Sequence, residues 1–210
     1  MKIYLVRHGE TDWNKAGKFQ GSENIPLNEY GIELAEVTSE GMKDIPFDII
    51  YTSPLIRARK TAEIMRRDRK IEIIEDERLK EMNFGRYEGA DIRKVKADKE
   101  HGLHDFISNP GVYRAKDGEN FEDVIARCRS FLEEILIPQE KKYENVMLAG
   151  HGALIRCFLR CIEDRPLSEF WGGAPQGNCA VTIVELTDGK MRILEEGKLY
   201  YYKEHVGILG

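Results

Sequence analysis

Three short clusters in this chain carry side chains suited to handling an oxyanion: Arg7-His8-Gly9, Thr52-Ser53-Pro54 leading to Arg57, and Gly150-His151-Gly152. Arginine presents a planar fork of donors that matches phosphate oxygens, and imidazole is a nucleophile or proton carrier near neutral pH. Two arginines and two histidines around one crevice would make an anion cage, with phosphate as its natural guest. The fold must therefore bring residues 7, 57 and 151 together.

The hydrophobic pattern predicts how. Short runs rich in β-branched and aliphatic residues alternate with stretches of helical period, as expected for parallel strands joined by helices. The strands are expected at 2–7, 47–52, 71–75, 145–149, 180–186 and 191–195. Helices are expected at 29–43, 54–69, parts of 91–108, 121–137 and 153–162. Asp188-Gly189 between the last two strands is a hairpin signal. The expected fold is α/β, a three-layer α/β/α arrangement around a mostly parallel mixed sheet of about six strands. Ser53-Pro54 reads as a helix entry, with Ser at the N-cap and Pro at the first helical position. All three clusters then fall just beyond the C-terminal ends of strands. Open α/β sheets bind ligands there, and helix N-termini point free N–H groups there.

Composition narrows the partners. The 210 residues hold 32 Lys or Arg against 37 Asp or Glu, a net charge of -5, with 41% hydrophobic residues. These values suit one soluble globular domain spanning 1–210, with the loop-rich stretch at about 86–118 as a candidate lid or insertion. Modest acidity argues against a nucleic-acid partner. The apolar run at 3–6 is too short for a signal peptide and no run approaches a membrane span, so a cytoplasmic location without membrane contact is expected. Cys128, Cys157, Cys161 and Cys179 lack C-x-x-C spacing and read as reduced core thiols. His101 and His104, with Asp105, read as surface residues rather than metal ligands, and no metal or cofactor is assigned. Nothing in the pattern decides whether the chain forms a homo-oligomer. The tail at 199–210, with three tyrosines and His205, is expected to fray.

Six blocks run in order along nearly the whole chain: RHGETDWN at 7–14, FQGSENIPLNEYG at 19–31, TSPLIRARKTAE at 52–63, LKEMNFGRYEG at 79–89, GENFEDVIAR at 118–127 and AGHGALIR at 149–156. Together they resemble the histidine phosphatase superfamily, also called phosphoglycerate mutase-like. The resemblance implies that His8 is the nucleophile that takes up the phosphoryl group, and that Arg7, Arg57 and His151 bind its oxygens. Glu81 is implied as proton donor to the leaving alcohol, Asn14 as a further phosphate-pocket residue, and Gln20 and Gly21 as lining of the mouth. Spacing alone does not choose Glu81 over Asp76, Glu77 or Glu88; the resemblance does. Asn24 departs from the Asp that many members carry, at a place with no catalytic role.

The chemistry behind those roles is demanding. Phosphate monoesters hydrolyse so slowly in water that enzymes supply up to ~10²¹-fold acceleration. A phosphohistidine splits the reaction into two easier steps, and preorganised cations meet the charge on the transferring group. His8 must attack through an unprotonated nitrogen, which Arg7 and Arg57 favour by opposing imidazolium, while a hydrogen bond to its other nitrogen would set the tautomer. Glu81 must carry a proton to the leaving oxygen, as a phosphate dianion beside it favours.

The expected activity is a metal-independent phosphomonoesterase acting on a small-molecule phosphate ester. The GENFEDVIAR block looks like the compact phosphatases, including those acting on α-ribazole phosphate and those of broad specificity. One alternative is a 2,3-bisphosphoglycerate-dependent phosphoglycerate mutase. Dedicated mutases of this family carry a longer, more basic insertion after the Glu block, where this chain offers only Arg114 and Lys116. A second alternative, a non-catalytic phosphate-binding scaffold, sits poorly with the complete set Arg7, His8, Arg57, Glu81 and His151.

Overall fold

A computed structural model describes residues 1–163 and 165–201. Its strands are β1 (Lys2–Arg7), β2 (Ile49–Thr52), β3 (Ile73–Glu75), β4 (Asn145–Gly150), β5 (Val181–Thr187) and β6 (Lys190–Lys198), in spatial order β3-β2-β4-β1-β5-β6. The first four of that order are mutually parallel, and β5 and β6 close one side as an antiparallel pair. The helices are α1 (Asp12–Lys15), α2 (Glu29–Gly41), α3 (Ile56–Arg66), α4 (Ile92–Ala97), α5 (His104–Ser108), α6 (Phe121–Phe131) and α7 (Gly152–Arg160).

Period-two alternation builds the layers. Ile3 and Leu5 of β1, with Val146 and Leu148 of β4, pack against Phe121, Val124 and Cys128 of α6 and Leu154 and Phe158 of α7. Their neighbours Tyr4, Val6, Met147 and Ala149 point the other way, onto Leu34 and Ala35 of α2 and Ala62 and Met65 of α3. Strands buried on both faces read as near-continuous apolar runs, and this is why the central strands were visible in sequence. The three-layer α/β/α expectation holds, and so does the hairpin. Asp188 and Gly189 both take positive φ, 51° and 72°, and join Thr187 to Lys190 in a two-residue turn.

Register positions the site. Arg7 of β1 lies opposite Gly150 of β4, so His8 and His151, each one residue further on, leave the sheet side by side. Slipping the pairing by one residue would send one of them to the opposite face.

Three expectations need correction. The helix expected over 54–69 begins at Ile56, with Leu55 at its N-cap. Asn24 Oδ1 accepts the Ile56 N–H at 2.7 Å, so a loop distant in sequence caps this helix. The helix expected over 121–137 keeps α-geometry only to Phe131. A wider π-type turn spans Leu132–Leu136, and a 3-10 turn over Ile137–Gln139 follows, where Pro138 lacks the N–H needed to continue. Tyr200 and Tyr201 do not fray. Both pack against the α2/α3 core, and the Tyr201 hydroxyl donates to the Asn178 carbonyl. His205 lies outside the described residues. α1 was missed, although Thr11 and Asn14 form a capping box with one another that is legible in sequence.

Candidate active site

The three clusters converge on one cavity of about 460 Å³ at the carboxyl ends of β1, β2 and β4. Arg7, His8, Asn14, Gln20, Gly21, Arg57 and Glu81 all line it. His151 does not; it is fully buried, with its ring centroid 5.2 Å from that of His8.

His8 sits where a close backbone approach holds it. A Cβ on Gly9 would lie 2.3 Å from the Gly31 carbonyl oxygen, and one on Gly31 would lie 2.0 Å from the Glu10 carbonyl oxygen. Only paired glycines let the first turn of α2 press onto the chain beside the histidine. The His8 Nδ1 and the Gly9 carbonyl are 2.6 Å apart. A carbonyl only accepts, so the proton is on Nδ1, which leaves Nε2 with its lone pair. Burial drives the His8 pKa well below 6.5, with Arg57 and then Arg7 adding to the effect. The ring is neutral at physiological pH.

Arg57 was the least distinctive of the expected residues, one of several basic side chains on one expected helix. Its neighbours behave as a solvated face: Arg59 pairs with Glu63 and Glu75, and Arg67 with Glu40. Arg57 is wholly buried. Its Nη1 and Nη2 donate to the Glu23 and Gly21 carbonyls at 2.6 and 2.7 Å. Gly21 turns its carbonyl there from a backbone at φ +52°. Burial lowers the guanidinium to about 10, against the pull of Glu81, so the charge remains at neutral pH. Arg7 donates through Nη1 to the Gln176 carbonyl at 2.6 Å, and its Nε, like that of Arg57, is buried without a partner among the described residues.

Ser53 turns out to serve His151. Its Oγ lies 2.8 Å from His151 Nε2 and accepts the Leu55 N–H at 3.2 Å. The hydroxyl can donate to Nε2 or accept from it, and the ring's Nδ1 is buried and has no partner among the described residues. Burial, then Arg57, also holds His151 well below 6.5.

Glu81 is fixed from two directions. Its Oε1 accepts the Met82 and Leu154 N–H groups at 2.9 Å each, and its Oε2 accepts only that of Ala153, at 3.2 Å. The carboxylate is therefore docked on the first turn of α7 with one oxygen underused. Arg127 of α6 grips the same loop, donating to the carbonyls of Arg78, Lys80 and Glu81, while Glu119 accepts from Asn83 and pairs with Arg127. The GENFEDVIAR block thus positions Glu81 rather than touching the cavity. Asn14 has its Oδ1 committed to Thr11, leaving its amide N–H₂ to face a ligand. Gln20 Oε1 is buried and has no partner among the described residues.

Sequence reasoning missed Gln176 and Asn178. Because β5 runs antiparallel beside β1, the residues before Val181 must lie beside Arg7 and His8. Asn178 donates to the His8 carbonyl at 3.0 Å. No local motif could show this; it needs the strand order.

His101 and His104, expected at the surface, are not fully exposed. Both are half-buried; His101 Nδ1 accepts the Leu103 N–H at 3.2 Å, and His104 Nδ1 lies 3.2 Å from the Val95 carbonyl. Among the described residues no group of three His, Cys, Asp or Glu could hold a metal. The four cysteines are free, three of them buried.

Residues 3–197 match the histidine phosphatase superfamily, branch 1. The chain belongs to that superfamily. It is similar to the uncharacterized phosphatase PhoE of Bacillus subtilis, 32% identical over 91% of each chain. It is also similar to the probable phosphoglycerate mutase GpmB of Proteus mirabilis, 30% identical over 79% of this chain and 76% of that one. Its fold superposes on Bacillus stearothermophilus YhfR with a TM-score of 0.87 and 32% identity, covering 94% of this chain and 97% of the other. The chain is a phosphatase of the histidine phosphatase superfamily. Among the described residues no helix is long and apolar enough to cross a membrane.

Proposed function

We propose that this phosphatase hydrolyses a small-molecule phosphate monoester through a phosphohistidine at His8, without a metal ion. The observation that carries the reading is the state of His8: Nδ1 is bonded to Gly9, Nε2 is free, and burial beside Arg7 and Arg57 keeps the ring neutral. In the first step Nε2 attacks phosphorus. The P–N bond forms as the P–O ester bond breaks, and the Glu81 proton passes to the departing alkoxide. In the second, water attacks phosphorus, its proton returns to Glu81, and the P–N electrons return to His8 as phosphate departs. Arg7 and Arg57 hold the equatorial oxygens through both steps, supplying the charge that a metal would otherwise provide. His151, buried beside His8 with its Nδ1 unpartnered among the described residues, is read as a further partner for the same group.

Arg114 and Lys116, the basic pair nearest in place to a mutase's insertion, do not line the cavity. That supports release to water rather than return to a bound alcohol. The free, mostly buried thiols suit the reducing cytoplasm.

The test is turnover of phosphate esters with chelator present, quenched without acid and read by mass spectrometry. A phosphoryl group on His8, lost with all turnover in His8→Ala, is expected. Label on another side chain would overturn the reading. Incubation with 3-phosphoglycerate and 2,3-bisphosphoglycerate is expected to release inorganic phosphate; accumulation of the 2-phospho isomer would establish the mutase instead.

A further inference from the structure

The outer half of the cavity holds charge that the phosphate chemistry does not use. Five cationic side chains line it: Arg7, Arg57, Arg156, Lys18 and Lys96. Arg7 and Arg57 form the phosphate cage. Arg156 is committed to Glu196 at 2.9 Å and to the Gly172 and Ala174 carbonyls. Lys18 and Lys96 have no carboxylate partner among the described residues; Lys18 Nζ lies 5.5 Å above the Trp13 ring. Glu81 is the one carboxylate among the lining residues, and it belongs to the reaction.

These two lysines stand on a built wall. Phe19 N–H donates to the Ala90 carbonyl at 3.0 Å, Gly89 N–H to that of Phe19 at 2.8 Å, and Ile92 N–H to that of Gly17 at 2.9 Å. Lys18 and Asp91 also pair as a β-bridge, and Asp91 caps α4. Ile92 and Lys96, four residues apart on α4, share the face that lines the cavity. Phe19, Phe84, Phe106 and Ile92 line the same cavity and give it an apolar stretch beside the lysines and the phosphate cage.

We propose that Lys18 and Lys96 form a second anion subsite, so that the ester this enzyme takes carries a carboxylate or a second phosphate on its alcohol portion. The inference rests on the phosphomonoesterase reading and narrows its substrate class. An ammonium is a point charge without preferred fork geometry, so the subsite selects charge more than shape.

The test uses three size-matched esters: 3-carboxyphenyl, 3-phosphonophenyl and 3-carbamoylphenyl phosphate. The wild type is expected to favour at least one anionic ester over the neutral carbamoyl ester by about tenfold or more in kcat/KM. Whichever is faster identifies the second group. In the Lys18→Met, Lys96→Met double variant, which keeps the apolar stems, the preference and its salt dependence are expected to vanish while carbamoyl turnover is unchanged. Equal rates on all three esters in the wild type, or an equal loss on all three in the variant, would overturn the subsite. Titration calorimetry with the non-hydrolysable phosphonate analogues of the carboxyl and carbamoyl esters reads the subsite without turnover. A protein that fails to hydrolyse any ester but still binds the carboxylate analogue more tightly would refute the esterase reading and leave the subsite standing.

Discussion

The floor and the outer wall of the cavity are made differently. At the floor, Arg7, His8 and Arg57 line the cavity with His151 buried beside them, and each is held by backbone carbonyls or a buried hydroxyl. The wall comes from short helices and loops between 86 and 118 and around 171–176, joined by ring contacts. Phe106 is its hub, touching Phe19, Phe84, Tyr113, Phe121 and Trp171 at centroid separations of 5.0 to 5.7 Å, and its carbonyl accepts Trp171 Nε1–H at 2.7 Å. Backbone register sets where Arg7, His8 and His151 leave the sheet. Side-chain packing sets the wall, which is enough to select a substrate and to stabilise the fold.

If that division is right, damage to the floor slows chemistry and damage to the wall weakens folding. Glu81→Gln is expected to slow hydrolysis of alkyl phosphates by about 10²- to 10⁴-fold, and of nitrophenyl phosphate, whose leaving group needs no proton, far less. Equal losses on the two substrates would remove Glu81 from the acid role. Phe106→Ala is expected to cost about 3–5 kcal/mol in chemical denaturation, since its buried ring leaves a cavity among five others, while inorganic phosphate still binds the folded protein. Loss of phosphate binding at temperatures where the variant is folded would show that wall and floor are one unit.

Ser53→Ala tests the floor from behind. It frees His151 Nε2 and is expected to lower kcat by about tenfold with little change in KM, the scale of one buried hydrogen bond left unmade. Ser53→Thr is expected to restore part of it. A change in KM alone would mean that Ser53 serves binding only.

A separate effect is on stability against pH. His8 and His151 have folded pKa values far below 6.5, so the unfolded chain binds protons that the folded one refuses. Stability is therefore expected to fall as pH drops below about 6.5, with a contribution approaching 1.4 kcal/mol per pH unit for each histidine. Denaturant titrations between pH 7 and 5 on the wild type and on His151→Ala read that slope. No difference between the two would place His151 in a more solvated setting than its burial shows.

Legibility followed the same division. His8, Arg57 and Glu81 stood inside blocks whose order marked a family, and the central strands announced themselves as apolar runs, because both depend on local pattern. The pairing of Ser53 with His151 looked instead like a helix cap. Its hydroxyl has two possible uses, and only proximity to a residue 98 positions away decides between them. Gln176 and Asn178 sit in a stretch without motif, and the antiparallel docking of β5 alone brings them to Arg7 and His8.

What the amino-acid order determined alone is the α/β layering and the family, since hydrophobic period and short motifs are properties of neighbouring residues. Which cations were left unpaired at the mouth, which loop would cap α3 and which hydroxyl would orient His151 were decided by tertiary structure. Those outcomes depend on side chains that meet only after distant segments have packed, and no local pattern encodes such meetings.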